Sequence, residues 1–199
     1  MADTGLLEQL ERSRALGFLG PGPIEDHVAH ADGFLNALVG VAGRVIDLGS
    51  GGGVPGLVIA VARPDLEVVL VEAMARRCRF LESAGRALGL TTTVVEGRAE
   101  RLGRGSLRGS AAAVVARSFG APAVTAECAA PLLGVGGRLI VSEPPGAAER
   151  WPARPLAELG LTAGPRTVGA PVMQVLELTS PCPARFPRRD GVPAKRPLF

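Results

Sequence analysis

The chain has 199 residues, enough for one α/β domain and too few for two of ordinary size, and 47% of it is apolar. Twenty-two basic residues stand against 19 acidic ones, but five of the cations fall between Arg185 and Arg196 with Asp190 as the sole anion there, so the basicity is local to the C-terminal tail. No apolar run reaches the ~20 residues of a membrane span, because Arg44, Arg63, Asp65 and Glu67 interrupt the candidates. The three cysteines, Cys78, Cys128 and Cys182, have no metal spacing and read as reduced structural thiols, which predicts no metal site.

In chain order, residues 4–16 read as a helix with Leu6, Leu10 and Ala15 inward, stopped by Gly17. Asp3, Glu8 and Glu11 make it amphipathic rather than a signal peptide, and a cytoplasmic protein is expected. Gly20-Pro21-Gly22-Pro23 is a turn that no helix crosses, and a second helix over Ile24–Leu38 places Val28, Ala31, Phe34, Leu35 and Leu38 on one face. His27 and His30 share a face of that helix but lack a third ligand, so they are read as packing or surface residues. Residues 1–40 are expected to form a helical cap over a sheet built by residues 41–179, followed by a basic Pro-rich tail, 180–199, that is extended.

From Val45 the pattern alternates strand and helix, the signature of parallel crossover units. Strands are expected at Val45–Leu48, Val68–Glu72, Thr92–Val95, Ala112–Ala116 and Arg138–Val141, with helices at Met74–Leu88 and Val124–Leu133. In the first of these helices Met74, Cys78, Leu81 and Leu88 face the sheet, and Arg76, Arg77, Arg79 and Arg86 face water. A Pro/Gly/Ala-rich segment near Pro144–Ala148 and a helix near Ala153–Leu159 follow. Two late strands, Arg166–Val168 and Val172–Leu178, are joined by Gly169-Ala170-Pro171 as an edge hairpin, because that link is too short for a parallel crossover.

The stretch Asp47-Leu48-Gly49-Ser50-Gly51-Gly52-Gly53-Val54-Pro55-Gly56 ends a buried strand on a carboxylate, breaks into glycines and starts a helix, with Pro55 suited to the helix's first turn. Gly49, Gly51 and Gly53 permit positive φ and bring backbone N–H groups close to a ligand. The glycines satisfy the dinucleotide pattern G-x-G-x-x-G, but the anion Asp47 repels a pyrophosphate and attracts a cation. S-adenosylmethionine carries an ammonium and a sulfonium and no phosphate, so it suits this turn better. Glu72, one strand later, is placed for a ribose diol in either cofactor. The structural alternative is that Asp47 and Glu72 only cap strand ends.

That stretch, together with Ala62-Arg63-Pro64-Asp65-Leu66, Arg77-Cys78-Arg79-Phe80-Leu81, Gly97-Arg98-Ala99-Glu100, Ala116-Arg117-Ser118 and the tail from Phe186 to Leu198, resembles the small-subunit ribosomal RNA guanine-N7 methyltransferase family, also called glucose-inhibited division protein B, in its actinobacterial form. The resemblance implies a class I S-adenosylmethionine-dependent methyltransferase, a Rossmann-like α/β fold with a mostly parallel seven-stranded sheet and an antiparallel last strand. Beside Asp47, Gly51, Gly53 and Glu72, read from the residues themselves as cofactor contacts, it implies contacts at Gly49 and Val54, an adenine-side pair at Ala99 and Glu100, and an arginine, Arg117, placed to meet the cofactor carboxylate or an RNA phosphate. The implied partner is ribosomal RNA or the small subunit. No catalytic side chain is expected, since guanine N7 has a lone pair and no proton to remove.

The chain departs from the family pattern where His30-Ala31-Asp32-Gly33 replaces a His-x-x-Asp-Ser element, and where the fifth strand ends Ser142-Glu143-Pro144 instead of Leu-Lys-Gly. The second change reverses a charge near the expected substrate mouth and should weaken contact with RNA phosphates. A methyltransferase for another RNA or a small molecule, a non-catalytic cofactor-binding paralogue and, more remotely, a nicotinamide-dependent reductase are the competing readings. The tail cations with Arg76, Arg77 and Arg79 are either RNA contacts or a solvated surface.

Overall fold

The protein is described by a computed structural model over residues 3–144, 149–167 and 171–199. Two helices, α1 (Thr4–Ala15) and α2 (Ile24–Ala37), precede β1 (Arg44–Leu48). Then follow α3 (Gly56–Ala62), β2 (Glu67–Glu72), α4 (Ala75–Ala87), β3 (Thr93–Glu96), α5 (Ala99–Arg104), β4 (Ala111–Ala116) and α6 (Pro122–Ala129). A single 3₁₀ turn, Ala130–Leu132, leads into β5 (Leu133–Ser142), and α7 (Ala153–Glu158), β6 (Leu161–Arg166), β7 (Met173–Leu178) and α8 (Val192–Lys195) complete the chain.

The strands form one seven-stranded sheet in the order β3-β2-β1-β4-β5-β7-β6. β1 to β5 are parallel, and β7 runs antiparallel to both β5 and β6. The expected mostly parallel sheet with an antiparallel last strand is therefore present, with that strand inserted between β5 and the edge strand β6. Alternate residues of each strand feed opposite faces of the sheet. Ile46, Val69, Val114 and Leu139 pack toward α6, α7 and the tail, while Val45, Leu70, Val115 and Ile140 pack toward α1, α2, α3 and α4. The chain leaves β1 for β2 and β3 on one side and returns to β4 on the other, so the crevice at the carboxyl ends of β1 and β4 is the place where such sheets bind ligands.

Several expectations are corrected. The edge strand lies at Leu161–Arg166, earlier than expected; only Leu161 of it is buried, so its Gly and Pro cost no core contact, and Pro is tolerated on an edge. The hairpin link at Gly169 and Ala170, the expected strand end at Val168 and most of the Pro144–Ala148 segment lie outside the described residues. Met74 stands half-exposed outside α4, and Arg77 is half-buried against Glu72 instead of facing water. Short α5 has only six residues, too few to show a helical period.

The largest correction concerns the tail, which is docked rather than extended. Phe186 is buried, and the backbone N–H and guanidinium of Arg188 donate to Glu127 of α6 at 2.9 and 2.5–2.8 Å. Asp190 accepts from Arg101 and Arg104 of α5, and Gly191 N donates to Glu100 at 2.9 Å. Arg108 in turn donates to the carbonyls of Cys182 and Phe186, each at 2.7 Å. Among the described residues, no helix is long and apolar enough to cross a membrane.

Candidate functional site

At the carboxyl ends of the strands lie two cavities of about 200 and 560 Å³ that share Ser118 and Phe119 as a common wall. Gly49, Val71, Glu72, Ala73, Arg77, Gly97 and Ala99 complete the smaller one. The larger is bounded by α2 through His27 and His30, by Arg117 after β4, and by Glu143, Arg150 and Trp151 beyond β5. Ser118 has φ +53, and Phe119 follows it onto the glycine turn. A side-chain carbon at Gly49, itself at φ +76, would lie 2.7 Å from the Phe119 ring. Glycine is needed there both for the left-handed backbone and for the close approach.

The turn itself is not an open cradle of donors. Gly49 N and Ser50 N both donate to Val71 O at 2.9 Å, Gly51 N donates to Glu72 at 3.0 Å and Gly53 N to Ser50 O at 2.8 Å. The N–H groups expected to reach a ligand are thus spent inside the protein, and the turn offers a close, side-chain-free surface instead. Val54 is buried in the core beside Leu57, and the Val54–Pro55 peptide is cis, with Pro55 just ahead of α3.

Asp47 lies under the turn, 1% exposed, where its Oδ2 accepts from Gly56 N at 3.1 Å. It therefore caps α3 and does not line either cavity. Burial pushes its carboxyl up to about 7, partly countered by Ser50, by the Gly56 N–H and by the nearby Arg117 cation. Glu72 does border the smaller cavity; besides Gly51 N it accepts from Ala73 N at 2.8 Å and Met74 N at 2.9 Å, and Arg77 is 3.7 Å away. Three of its four acceptor sites are thereby occupied. Ala99 also borders this cavity, whereas the Glu100 carboxylate is turned to Arg98 and to the tail, which hold it below the usual carboxylate range against the opposing effect of burial.

Arg117 faces the larger cavity, and burial lowers its affinity for a proton. Its NH2 lies 2.6 Å from His27 Nδ1. A guanidinium only donates, so Nδ1 accepts and the 3.2 Å contact from His27 Nε2 to Gly20 O carries the ring proton, which fixes the tautomer. His30 is held below its ordinary value by burial, then by Arg117 and His27, and its Nε2 has no protein partner among the described residues; neither has Arg117 NH1. The histidines read from sequence as packing or surface residues line the larger cavity. Their i, i+3 spacing on α2 was the signal. Glu143, expected at the substrate mouth, does line this cavity, whereas Trp151 was not recognised as a wall residue because the 2.7 Å indole–carboxylate bond that joins it to Glu143 depends on a fold-back of the chain.

A phosphate-bearing dinucleotide needs the donors that this turn has spent. A cofactor without phosphate needs none, so the glycine face, Glu72 and Ala99 fit S-adenosylmethionine. Among the described residues no group of three His, Cys, Asp or Glu side chains could hold a metal ion.

Comparison with known proteins identifies the family and the fold. The family model described as rRNA small subunit methyltransferase G matches residues 25–147. A protein of that name from Moorella thermoacetica is 37% identical over 176 residues, 83% of this chain and 73% of the relative. The Mycolicibacterium gilvum relative is 35% identical over 86% of this chain and 81% of its own length, and the Deinococcus radiodurans relative 38% identical over 78% and 66%. Among solved structures, a putative O-methyltransferase from Klebsiella pneumoniae superimposes with TM-score 0.64 at 18% identity, covering 90% of this chain and 92% of that one. A T. thermophilus 16S rRNA methyltransferase in complex with AdoMet and guanosine does so with TM-score 0.51 at 19% identity, over 78% and 40%. These likenesses show the fold of class I methyltransferases, and the sequence matches show the family: the chain belongs to the rRNA small subunit methyltransferase G family.

Proposed function

We propose that this protein transfers a methyl group from S-adenosylmethionine to small-subunit ribosomal RNA, with N7 of a guanine as the acceptor. The observation that carries the reading is the glycine turn in which the N–H groups of Gly49, Ser50, Gly51 and Gly53 are bonded to Val71, Glu72 and Ser50, since it leaves a surface for a cofactor without phosphate. When bound, the cofactor supplies an electrophilic methyl group on sulfur. Gly49, Glu72 and Ala99 hold it in the smaller cavity, and the acceptor base enters the larger one, so the two meet along the shared Ser118–Phe119 wall. Gly51 and Gly53 act through the shape of the turn, Asp47 by fixing α3 and supplying charge beneath it, and Val54 by anchoring the turn in the core. Arg117, with His27 fixed beside it, orients the RNA side.

Guanine N7 loses no proton on methylation, so positioning and exclusion of water suffice and no general base is required. Residues 1–40 serve as the cap that closes the larger cavity, and the protein works in the cytoplasm on the ribosomal particle. The test is transfer of labelled methyl from S-adenosylmethionine to small subunits lacking the modification. Label is expected at one guanine N7, reduced at least tenfold by Arg117→Ala, a loss in the range of one charge-assisted contact. Binding of NADH but not S-adenosylmethionine in a calorimetric titration would overturn the reading.

A further inference from the structure

Glu143 is a buried carboxylate that the chemistry so far leaves unused. It is 5% exposed, yet it borders the larger cavity. Its Oε1 accepts from Trp151 Nε1 at 2.7 Å and its Oε2 from Arg150 at 3.2 Å, while its own N–H donates to Val172 O at 2.9 Å. The side chain is thus fixed at backbone and head. Each carboxylate oxygen accepts about two hydrogen bonds. One is taken on each, so one acceptor site per oxygen is left.

We infer that Glu143 is the residue that recognises the acceptor base, by accepting the N1–H and 2-amino hydrogens of a guanine in the larger cavity. The inference rests on the function proposed above. Among the four RNA bases, guanine alone presents two adjacent donors on its pairing edge. Adenine and cytosine set one donor beside a lone pair that would face the carboxylate, and uracil has a single donor between two carbonyls. A fixed carboxylate therefore selects guanine by pairing and rejects the others by leaving buried acceptors opposed. The same contact covers N1 and N2 and leaves N7, on the opposite side of the base, available.

The carboxylate also favours the reaction itself. The N7 lone pair forms the new carbon–nitrogen bond, the carbon–sulfur pair stays with sulfur, no proton leaves, and the positive charge passes from sulfur to the base. An anion bonded to the base interacts more strongly with the cationic product than with neutral guanine, so it stabilises the transition state more than the ground state. The charge reversal at this position is accordingly not directed at the RNA backbone: Arg150 and Trp151 hold it inward.

The experiment compares wild type and Glu143→Gln on a small-subunit RNA substrate carrying either guanine or inosine, which lacks the 2-amino group, at the acceptor position. Gln keeps an oxygen for Trp151 but turns a donor toward the base. With guanine, Glu143→Gln is expected to lower kcat by roughly ten- to hundredfold, the range of a charge-assisted hydrogen bond. S-adenosylmethionine affinity, measured by calorimetry, is expected to stay within about twofold, since Glu143 does not border the smaller cavity. Inosine is expected to slow the wild type by about tenfold and to add little to the variant, because both changes remove one interaction. Equal rates of the wild type on guanine and inosine overturn the inference whatever the variant does. So does a Glu143→Gln enzyme with unchanged kcat, while wild-type transfer to guanine leaves the proposed function standing. A wild type that binds the cofactor and methylates no guanine overturns both.

Discussion

Asp47 sits beneath the cofactor turn with a carboxyl pushed up to about 7, so its charge is balanced near neutral pH rather than fixed. Because the folded value lies above the ordinary 3.8, the neutral form stabilises the fold; this contribution is complete below that ordinary value and is lost as pH rises through 7. Asp47→Asn keeps an acceptor for Gly56 N and removes the ionisation. The variant is expected to gain on the wild type by a few kcal/mol between pH 5 and pH 8, an order of magnitude set by about 1.4 kcal/mol per unit, as read from thermal melts. A cationic ligand reverses the balance, since it favours the ionised form. S-adenosylmethionine should bind the wild type several-fold more tightly at pH 8 than at pH 6, and the Asn variant should show little pH dependence. Equal pH dependence in the two proteins would exclude Asp47 as the source. At Gly49, alanine must adopt φ +76 and meet the Phe119 ring. Gly49→Ala is expected to cost about 1–2 kcal/mol of stability and to weaken S-adenosylmethionine at least tenfold in calorimetry.

At the level of elements, a buried ion pair is central to the docking of the tail, beside the buried Phe186 ring and the bonds of Asp190 and Gly191 to α5. Glu127 is fully buried and accepts three hydrogen bonds from Arg188, which also donates to Arg196 O at 2.7 Å. Removing one partner of such a pair strands the other. Arg188→Ala is expected to destabilise by roughly 3–5 kcal/mol, whereas Arg189→Ala, on an exposed neighbour, should stay within about 0.5 kcal/mol. Denaturant titrations of both variants check it; equal stabilities would show the tail docking to be marginal. This docking was illegible in the sequence, because the two charges are 61 residues apart and a Pro-rich basic segment has the composition of a solvated one. The strands β1, β2 and β4, in contrast, were legible within a residue, since strands buried on both faces are continuous apolar runs. β6 was misplaced because an edge strand with one buried residue carries almost no apolar signal. At the site, Gly49, Glu72 and Ala99 border the smaller cavity, while what each group bonds to did not follow from spacing: the N–H groups of Gly49, Ser50, Gly51 and Gly53 are consumed, and Asp47 and Glu100 point into the protein.

Over the whole molecule, folding reorganises the charge that the sequence counts. Of the tail cations, Arg188 is spent on Glu127, and Asp190 is spent on Arg101 and Arg104, so the local surplus at the surface comes from Arg185, Arg189, Lys195 and Arg196. On α4, Arg77 turns to Glu72 and Arg76 lies over the Phe18 ring at 5.0 Å, with Arg76 and Arg79 both exposed. The docked tail reaches the first turn of α5 through Gly191 and Glu100, beside Ala99 in the cavity wall. If the tail's exposed cations meet RNA phosphates, each contact releases counterions and steepens the salt dependence of binding. Replacing Arg189, Lys195 and Arg196 together by Gln is then expected to lower the slope of log affinity against log salt by roughly 2, at about 0.7 per single-strand phosphate contact. Binding to small subunits across a salt series measures it, and Arg76→Gln with Arg79→Gln tests the α4 patch separately. An unchanged slope in the triple variant assigns the tail to fold stability alone, because Arg188, the one tail cation with a buried partner, is left intact in that variant and the docking with it.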